Sequence, residues 1–333
     1  MTSHAKPGLK LGTTLFSFTG EFHSREYTFE QLVAEVARRN LGPGLEIIGF
    51  QSIRGFPEVS DAFIERFREL MAQHRLQPSC FDANADVMLR RGQMLSIEEQ
   101  VAYHEPQIRA AARLGFPTVR CQFTAAPEVL RRLVPLAEKL NVKMGPEIHA
   151  PLGVNSPPVL AYREMYAKVN SPCLGFVPDF GSTARTIPEP YLDTLRERGI
   201  PERLIQMALE IWKLPLDAVA KRAELAKRLG GETIDPTYQS ALGIMYNIMS
   251  PNDVRSWLEI MPQIIHVHGK FYGFDAEGNE ASIDYPALLK VLVEGGYQGY
   301  LSSEYEGHMY SEASAFEAVS KHHALCRRVL AAL

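Results

Sequence analysis

The chain has 333 residues, 46% of them hydrophobic, and 35 basic against 39 acidic side chains leave a formal charge of −4. That length supports one large domain with a substantial core, and the near-balanced charge argues against a dedicated nucleic-acid binder, which needs a basic field to neutralise phosphates. The four scattered cysteines (Cys80, Cys121, Cys173, Cys326) make no C-x-x-C pair, the opening "MTSHAKPGLKLG" lacks a signal peptide's apolar stretch, and no run is long enough to cross a bilayer, so the expectation is a soluble cytoplasmic protein with reduced, mostly buried thiols.

A β-then-α alternation recurs along most of the sequence. Apolar runs predict strands at Leu9–Phe16, Leu45–Gly49, Gln77–Phe81, Thr118–Gln122, Val142–Ile148, Leu174–Asp179, Ile264–His268 and Gly299–Glu304. Between them, apolar residues at three- and four-residue spacing predict helices. Thr28–Arg39 and Val59–Ala72 each carry a Thr or Ser near the start as an N-cap. Gln100–Leu114, Ala126–Leu140, Pro157–Val169, Tyr285–Glu294 and Ala313–Leu333 follow. Eight strands alternating with helices predict an α/β fold, a (β/α)8 TIM barrel spanning 1–333 as one domain, with a doubly wound open sheet as the alternative. One interval breaks the rhythm. Residues 183–250, between the sixth and seventh strands, exceed what one βα unit needs, and the stretch 187–232 within them reads as two or three extra helices punctuated by Pro and Gly. This helical insertion is either surface decoration or a lid or docking surface.

The chemistry concentrates at the last four strands. "KMGPEIHAP", "LGFVPDFGS", "IIHVHGKF" and "YLSSEYEGH" each carry a metal-capable side chain near the end of an apolar run: Glu147, Asp179, His268 and Glu304. A lone strand-end carboxylate is ordinarily a cap or an ion-pair partner, but four at successive strand ends share one explanation. Three carboxylates and an imidazole suit a divalent ion, Mn²⁺ ahead of Zn²⁺ with Mg²⁺ and Fe²⁺ open, and leave coordination positions for substrate. Residues i and i+2 share a strand face, which groups Glu147 with His149, His266 with His268, and Glu304 with Glu306. His149 is a candidate general base, Lys270 a candidate source of a proton or positive charge, and His308 a candidate at the mouth. His266 reads as a histidine orienting a ligand rather than as a ligand. Asp82, Asp86 and His104 read as substrate-side or solvated. No phosphate-binding loop, dinucleotide fingerprint or nucleophile elbow occurs, and "GPGLEIIG" reads as a turn into the second strand.

Around "PEIHAP", "PDFG", "HVHGK" and "SEYEG" the chain resembles the xylose isomerase-like TIM-barrel superfamily, which includes sugar isomerases, ketose epimerases and endonuclease IV. The resemblance implies that Glu147, Asp179, His268 and Glu304 ligate one metal. Several relatives carry a histidine three residues after the sixth-strand aspartate. Ser182 stands there in this chain, which counts against the ketose epimerases' substrate clamp and the multi-zinc endonuclease. Within the superfamily, "EIHAP", "PDFGST", the insertion and "SSEYEGHMY" look closest to the α subunit of bacterial C-glycoside deglycosidases. That resemblance implies a carbon–carbon lyase acting on 3-keto C-glycosides with an aromatic aglycone, in company with a small β subunit. A sugar isomerase or epimerase of the hydroxypyruvate isomerase or ketose 3-epimerase type would use the same residues, and a non-catalytic scaffold on a retained barrel is the third reading.

Overall fold

The computed structural model describes residues 8–85, 92–232, 234–310 and 313–333. Eight parallel strands form the sheet: β1 Lys10–Thr14, β2 Gly44–Ile48, β3 Gln77–Ala83, β4 Thr118–Cys121, β5 Lys143–Ile148, β6 Val177–Pro178, β7 Val267–Phe271 and β8 Tyr300–Tyr305. Their spatial order is β6-β5-β4-β3-β2-β1-β8-β7. β1 therefore pairs on both sides, with Gly12 against Gly44 of β2 and Leu11 against Leu301 of β8. Between β6 and β7 the ring closes through two isolated parallel bridges, Phe176 with Ile264 and Asp179 with His268. This is the expected TIM barrel, with helices packed outside and an apolar core between the two layers.

Local chemistry explains the element boundaries. Thr28 caps the helix Phe29–Arg38 and exchanges hydrogen bonds with Gln31, and Ser96 and Glu99 do the same for Ile97–Leu114. Ser60 caps Asp61–His74. The glycines of "GPGLEIIG" have a packing reason: a Cβ on Gly44 would lie 2.5 Å from the Tyr300 ring. β6 is shorter than its apolar run: Leu174 and Phe176 make only isolated bridges, to Met144 and Ile264, before the ladder with β5 begins at Val177. β7 begins three residues later than expected. A 3-10 segment, Val254–Gln263, runs up to the bridge residue Ile264, so "IIHVHGKF" enters the sheet only at Val267.

Among the described residues the long interval between β6 and β7 folds into four α-helices: Glu189–Glu197, Glu202–Trp212 and Ala218–Arg228 lie in the stretch expected to hold two or three, and Pro236–Ile248 follows it. All four cysteines are buried and free. No helix among the described residues is long and apolar enough to cross a membrane.

Candidate active site

The barrel interior is polar at its carboxyl end. Glu46, Asp179, His266, His268 and Lys270 are at most 1% exposed, and Glu147 and Glu304 at most 5%. Glu147 and Glu304 are the penultimate residues of β5 and β8, and Asp179 directly follows β6. His268 is the second residue of β7 rather than its last, so Lys270, two residues on, stands nearer the mouth. Even so, Glu147, Asp179, His268 and Glu304 each offer one ligand atom within 4.8 Å of the others.

His268 is the hub. Its Nδ1 lies 2.7 Å from Glu147 Oε1 and 3.5 Å from Glu304 Oε2, while its Nε2 lies 2.7 Å from Glu46 Oε1. Burial opposes a charge on this ring, but Glu46, Glu304 and Glu147 together hold it well above the ordinary histidine range. Glu147 also accepts a 2.7 Å hydrogen bond from Arg120 Nη2. Burial works against its ionisation too, yet Arg120 and His268 keep it well below the usual carboxylate range. Glu304 goes the other way: burial, with Asp179 and Glu147 adding to it, pushes its carboxyl well up against the pull of Lys270 and His268.

The Lys270 ammonium fills the other half of the site. It lies 2.9 Å from Asp179 Oδ2, 3.0 Å from Glu306 Oε1, 3.6 Å from Glu304 Oε2 and 3.0 Å from His149 Nε2. Burial disfavours its charge, but the three carboxylates hold its proton well above the usual lysine range. Half-buried His149 is pinned on its other side, Nδ1 lying 2.7 Å from the Ala150 carbonyl. Asp179 Oδ1 accepts 2.5 Å from the Gly181 N–H, a turn that needs glycine because a Cβ would lie 2.9 Å from that same oxygen.

These residues fit a divalent cation. Asp179 Oδ2 and Glu304 Oε2 are buried and accept no hydrogen bond of good geometry, although the Lys270 ammonium lies 2.9 and 3.6 Å from them, so both keep lone pairs to offer a ligand. Hard oxygen donors with one imidazole are the donor set of such an ion.

The remaining candidates stand outside the four-residue set. His308 lies in the short turn Gly307–Met309, its Nδ1 2.6 Å from the Tyr305 carbonyl and its ring 5.1 Å from that of Phe16, and none of its described hydrogen bonds reaches the four ligand candidates. His266 bonds to Glu46 and to Ser302, at 2.7 and 3.0 Å, and stands outside the four-residue set. Asp82 is neither solvated nor peripheral: it is 4% exposed in β3 and 3.9 Å from Arg120 Nε, and burial with the nearby Glu46 pushes its carboxyl well up. His104 is fully buried on its helix, bonded to the Gln100 carbonyl. Asp86 lies outside the described residues. Ser182 donates to the Asp179 carbonyl at 2.7 Å and so braces the turn that presents Asp179.

Two participants were not anticipated, Glu46 and Arg120. Their signal was a charged residue inside an apolar strand, "GLEIIG" and "TVRCQF", at the parity of the inner face. A groove of about 590 Å³ lies to one side, between the first inserted helix, the loop after β7 and the helix Ala315–Ala332. Tyr272, Phe274, Glu280 and Tyr305 line it, and none of the four ligand candidates does.

Comparison with known proteins agrees with this architecture. A family model described as xylose isomerase-like TIM barrel matches residues 44–325. The chain is 40% identical to the 3'-dehydrocarminate deglycosidase alpha subunit of Microbacterium sp., over 99% of this chain and 97% of that one. It is also 40% identical to a C-glycoside deglycosidase alpha subunit of Arthrobacter globiformis, over 98% and 94% of the two chains. Among solved structures, a sugar phosphate isomerase/epimerase from Parabacteroides distasonis superposes with TM-score 0.55 at 15% identity, covering 97% of this chain and 95% of that one. An IOLI protein with a bound zinc atom superposes with TM-score 0.58 at 15% identity, covering 97% and 98%. At that identity the likeness concerns the fold.

Proposed function

The chain belongs to the xylose isomerase-like TIM-barrel family and, within it, to the C-glycoside deglycosidase alpha subunits, and from that membership we propose that it is the catalytic subunit of a metal-dependent carbon–carbon lyase releasing the aromatic aglycone of 3-keto C-glycosides. The observation that carries the reading is the buried set Glu147, Asp179, His268 and Glu304, whose ligand atoms lie within 4.8 Å of one another. Paired-carboxylate hydrolysis fits poorly, because it protonates a leaving-group oxygen that a C-glycoside lacks at the scissile bond.

A 3-keto sugar offers β-elimination. The C2 proton is acidic because it neighbours the C3 ketone. Its removal leaves an enolate. As the ketone re-forms, a C1–C2 double bond forms, the C1–aglycone bond breaks, and its electron pair leaves with the aglycone, which takes up a proton. The bound divalent ion, Mn²⁺ by preference, would supply Lewis-acid stabilisation of the negative charge developing on the sugar oxygen. His149 is the proposed general base. With Nδ1–H donated to Ala150 and Nε2 accepting from Lys270, its basic nitrogen is already aimed into the site. Substrate takes the place of the lysine as its partner. Lys270, held protonated by its carboxylates, steadies the departing anion as a fixed positive charge rather than giving up its proton. His308 is the proposed donor that returns a proton to the aglycone. The relatives' designation as alpha subunits supports a partner subunit, a small β chain in this reading.

The test is incubation of the Mn²⁺-loaded chain with a 3-keto C-glucoside, with and without a candidate small subunit, following free aglycone. Release that disappears with EDTA or in Glu304→Gln is the expected result. No release, together with interconversion of simple keto sugars, overturns the lyase in favour of an isomerase.

A further inference from the structure

We infer that Glu46 is a positioning residue that, through His268, dictates which imidazole nitrogen faces the cation site. The inference rests on the metal centre proposed above. Glu46 lies in β2 and is 0% exposed. Its Oε1 is 2.7 Å from His268 Nε2 and its Oε2 is 2.7 Å from His266 Nε2. An ionised carboxylate only accepts, so each imidazole must present an Nε2–H to it. A neutral imidazole has a single N–H. Without a cation both ring nitrogens face carboxylates; a cation bound at Nδ1 takes the place of the proton there and leaves the single N–H on Nε2 for Glu46, and Nδ1 is the nitrogen beside Glu147 Oε1 and Glu304 Oε2, at 2.7 and 3.5 Å. His268 can therefore ligate through Nδ1 because Glu46 holds its other nitrogen.

His266 completes the device. Its Nε2 also lies 3.0 Å from Ser302 Oγ of β8, so Glu46 is gripped at both oxygens by two residues of the β7 segment that is braced in turn against β8. An uncompensated carboxylate at this depth would be costly, and two imidazole donors offset that cost. An alternative role for Glu46 is as ligand of a second cation, since Glu46, His266 and His268 also have atoms within mutual reach. The hydrogen bonding favours positioning. Both Glu46 oxygens are already engaged by imidazole hydrogen bonds, whereas Glu304 Oε2 and Asp179 Oδ2, in the four-residue set, face Lys270 and, for Glu304, His268 without a hydrogen bond of good geometry.

The experiment is titration of metal-free chain with Mn²⁺, reading the unbound ion by electron paramagnetic resonance, which gives affinity and stoichiometry without reference to turnover. Wild type should bind one Mn²⁺ per chain. Glu46→Gln should bind it roughly 10- to 100-fold more weakly, because an amide cannot accept from both imidazoles. Glu46→Asp, which restores the carboxylate, should recover part of the loss. In the Mg²⁺-loaded wild type, ¹⁵N-resolved histidine spectra should show His268 as the Nε2–H tautomer, and this readout decides the matter even if Glu46→Gln fails to fold. Unchanged Mn²⁺ affinity in folded Glu46→Gln, or an Nδ1–H tautomer at His268, overturns the inference. Two Mn²⁺ per wild-type chain and one in Glu46→Gln overturns it in favour of a second cation site. A wild type that binds no divalent ion sinks the metal centre and this inference together, whereas normal wild-type binding with an indifferent Glu46→Gln sinks this inference alone.

Discussion

Replacing Lys270 with methionine removes one buried positive charge while keeping most of the side-chain volume. The ammonium is within 3.0 Å of oxygens of both Asp179 and Glu306, and 3.6 Å from Glu304. Methionine leaves those carboxylates facing one another without their common counter-charge. Removing one partner of a buried ion pair costs about 3–5 kcal/mol. For 333 residues at roughly 2.1 cal/mol/K each, the unfolding entropy is about 0.7 kcal/mol/K, so the metal-free variant should melt about 4–7 °C below wild type. Mn²⁺ should reverse much of this loss, because a cation then supplies the missing charge. At a free Mn²⁺ concentration of about 100 times Kd the gain is about 2.7 kcal/mol for any single-site binder, and at equal Mn²⁺ the variant should gain more than wild type because the lysine no longer repels the ion. The assay is scanning calorimetry of metal-free and Mn²⁺-supplemented protein in parallel. A metal-free variant melting within 1 °C of wild type, or one whose Mn²⁺-induced shift is smaller than the wild type's, refutes the claim that Lys270 and a cation serve the same carboxylates.

Two further outcomes follow from the geometry. His149→Ala should bind Mn²⁺ as wild type does yet release aglycone roughly 10²- to 10⁴-fold more slowly, the usual contribution of a positioned base; full turnover in that variant removes His149 from the mechanism. Glu280, buried beside the lateral groove, is pushed by burial up to about 7 from an ordinary 4.5, against the hydrogen bonds from Ser282 and Ile283. The folded chain holds that proton to higher pH than the unfolded chain, so the associated stability is complete below about pH 4.5 and is lost as pH rises through about 7, by about 3 kcal/mol in all. Denaturant melts of Glu280→Gln across that window should slope less steeply downward with pH than wild type, and parallel slopes would show the shift to be absent.

Much of the barrel was legible because parallel strands buried on both faces read as largely apolar runs, as "LEIIG" does. Where such a run is longer than its strand, the register is hidden. "IIHVHGKF" does not announce that its first residues belong to a bridge and a connection, and His268 was accordingly expected at the strand end when Lys270 stands nearer the mouth. Carboxylates near strand ends could be recognised as a group because one ion explains them all. Glu46 and Arg120 come from the other half of the barrel and meet His268 and Glu147; a charge inside an apolar strand marks each of them, but which residue it meets across the ring depends on side-chain directions that the local sequence does not carry. Asp82 was misread for a related reason: a carboxylate beside the arginine of the next strand looks solvated until the barrel closes over both. The fourth inserted helix, Pro236–Ile248, is rich in apolar residues on several sides and lacks the strong two-faced pattern that marked its predecessors.

The thin closure between β6 and β7 gives the candidate ligands a mechanical meaning. One of the two bridges across that join is Asp179 with His268, and these same two residues belong to the cation set. The long helical excursion leaves the barrel beside one edge of the join and returns beside the other. An ion gripped by both residues would act as a clasp on the weakest stave of the cask, so that loading the centre and locking the barrel shut become one event. The inserted helices, hung from either side of that clasp, are then the part of the molecule best placed to register whether it is fastened.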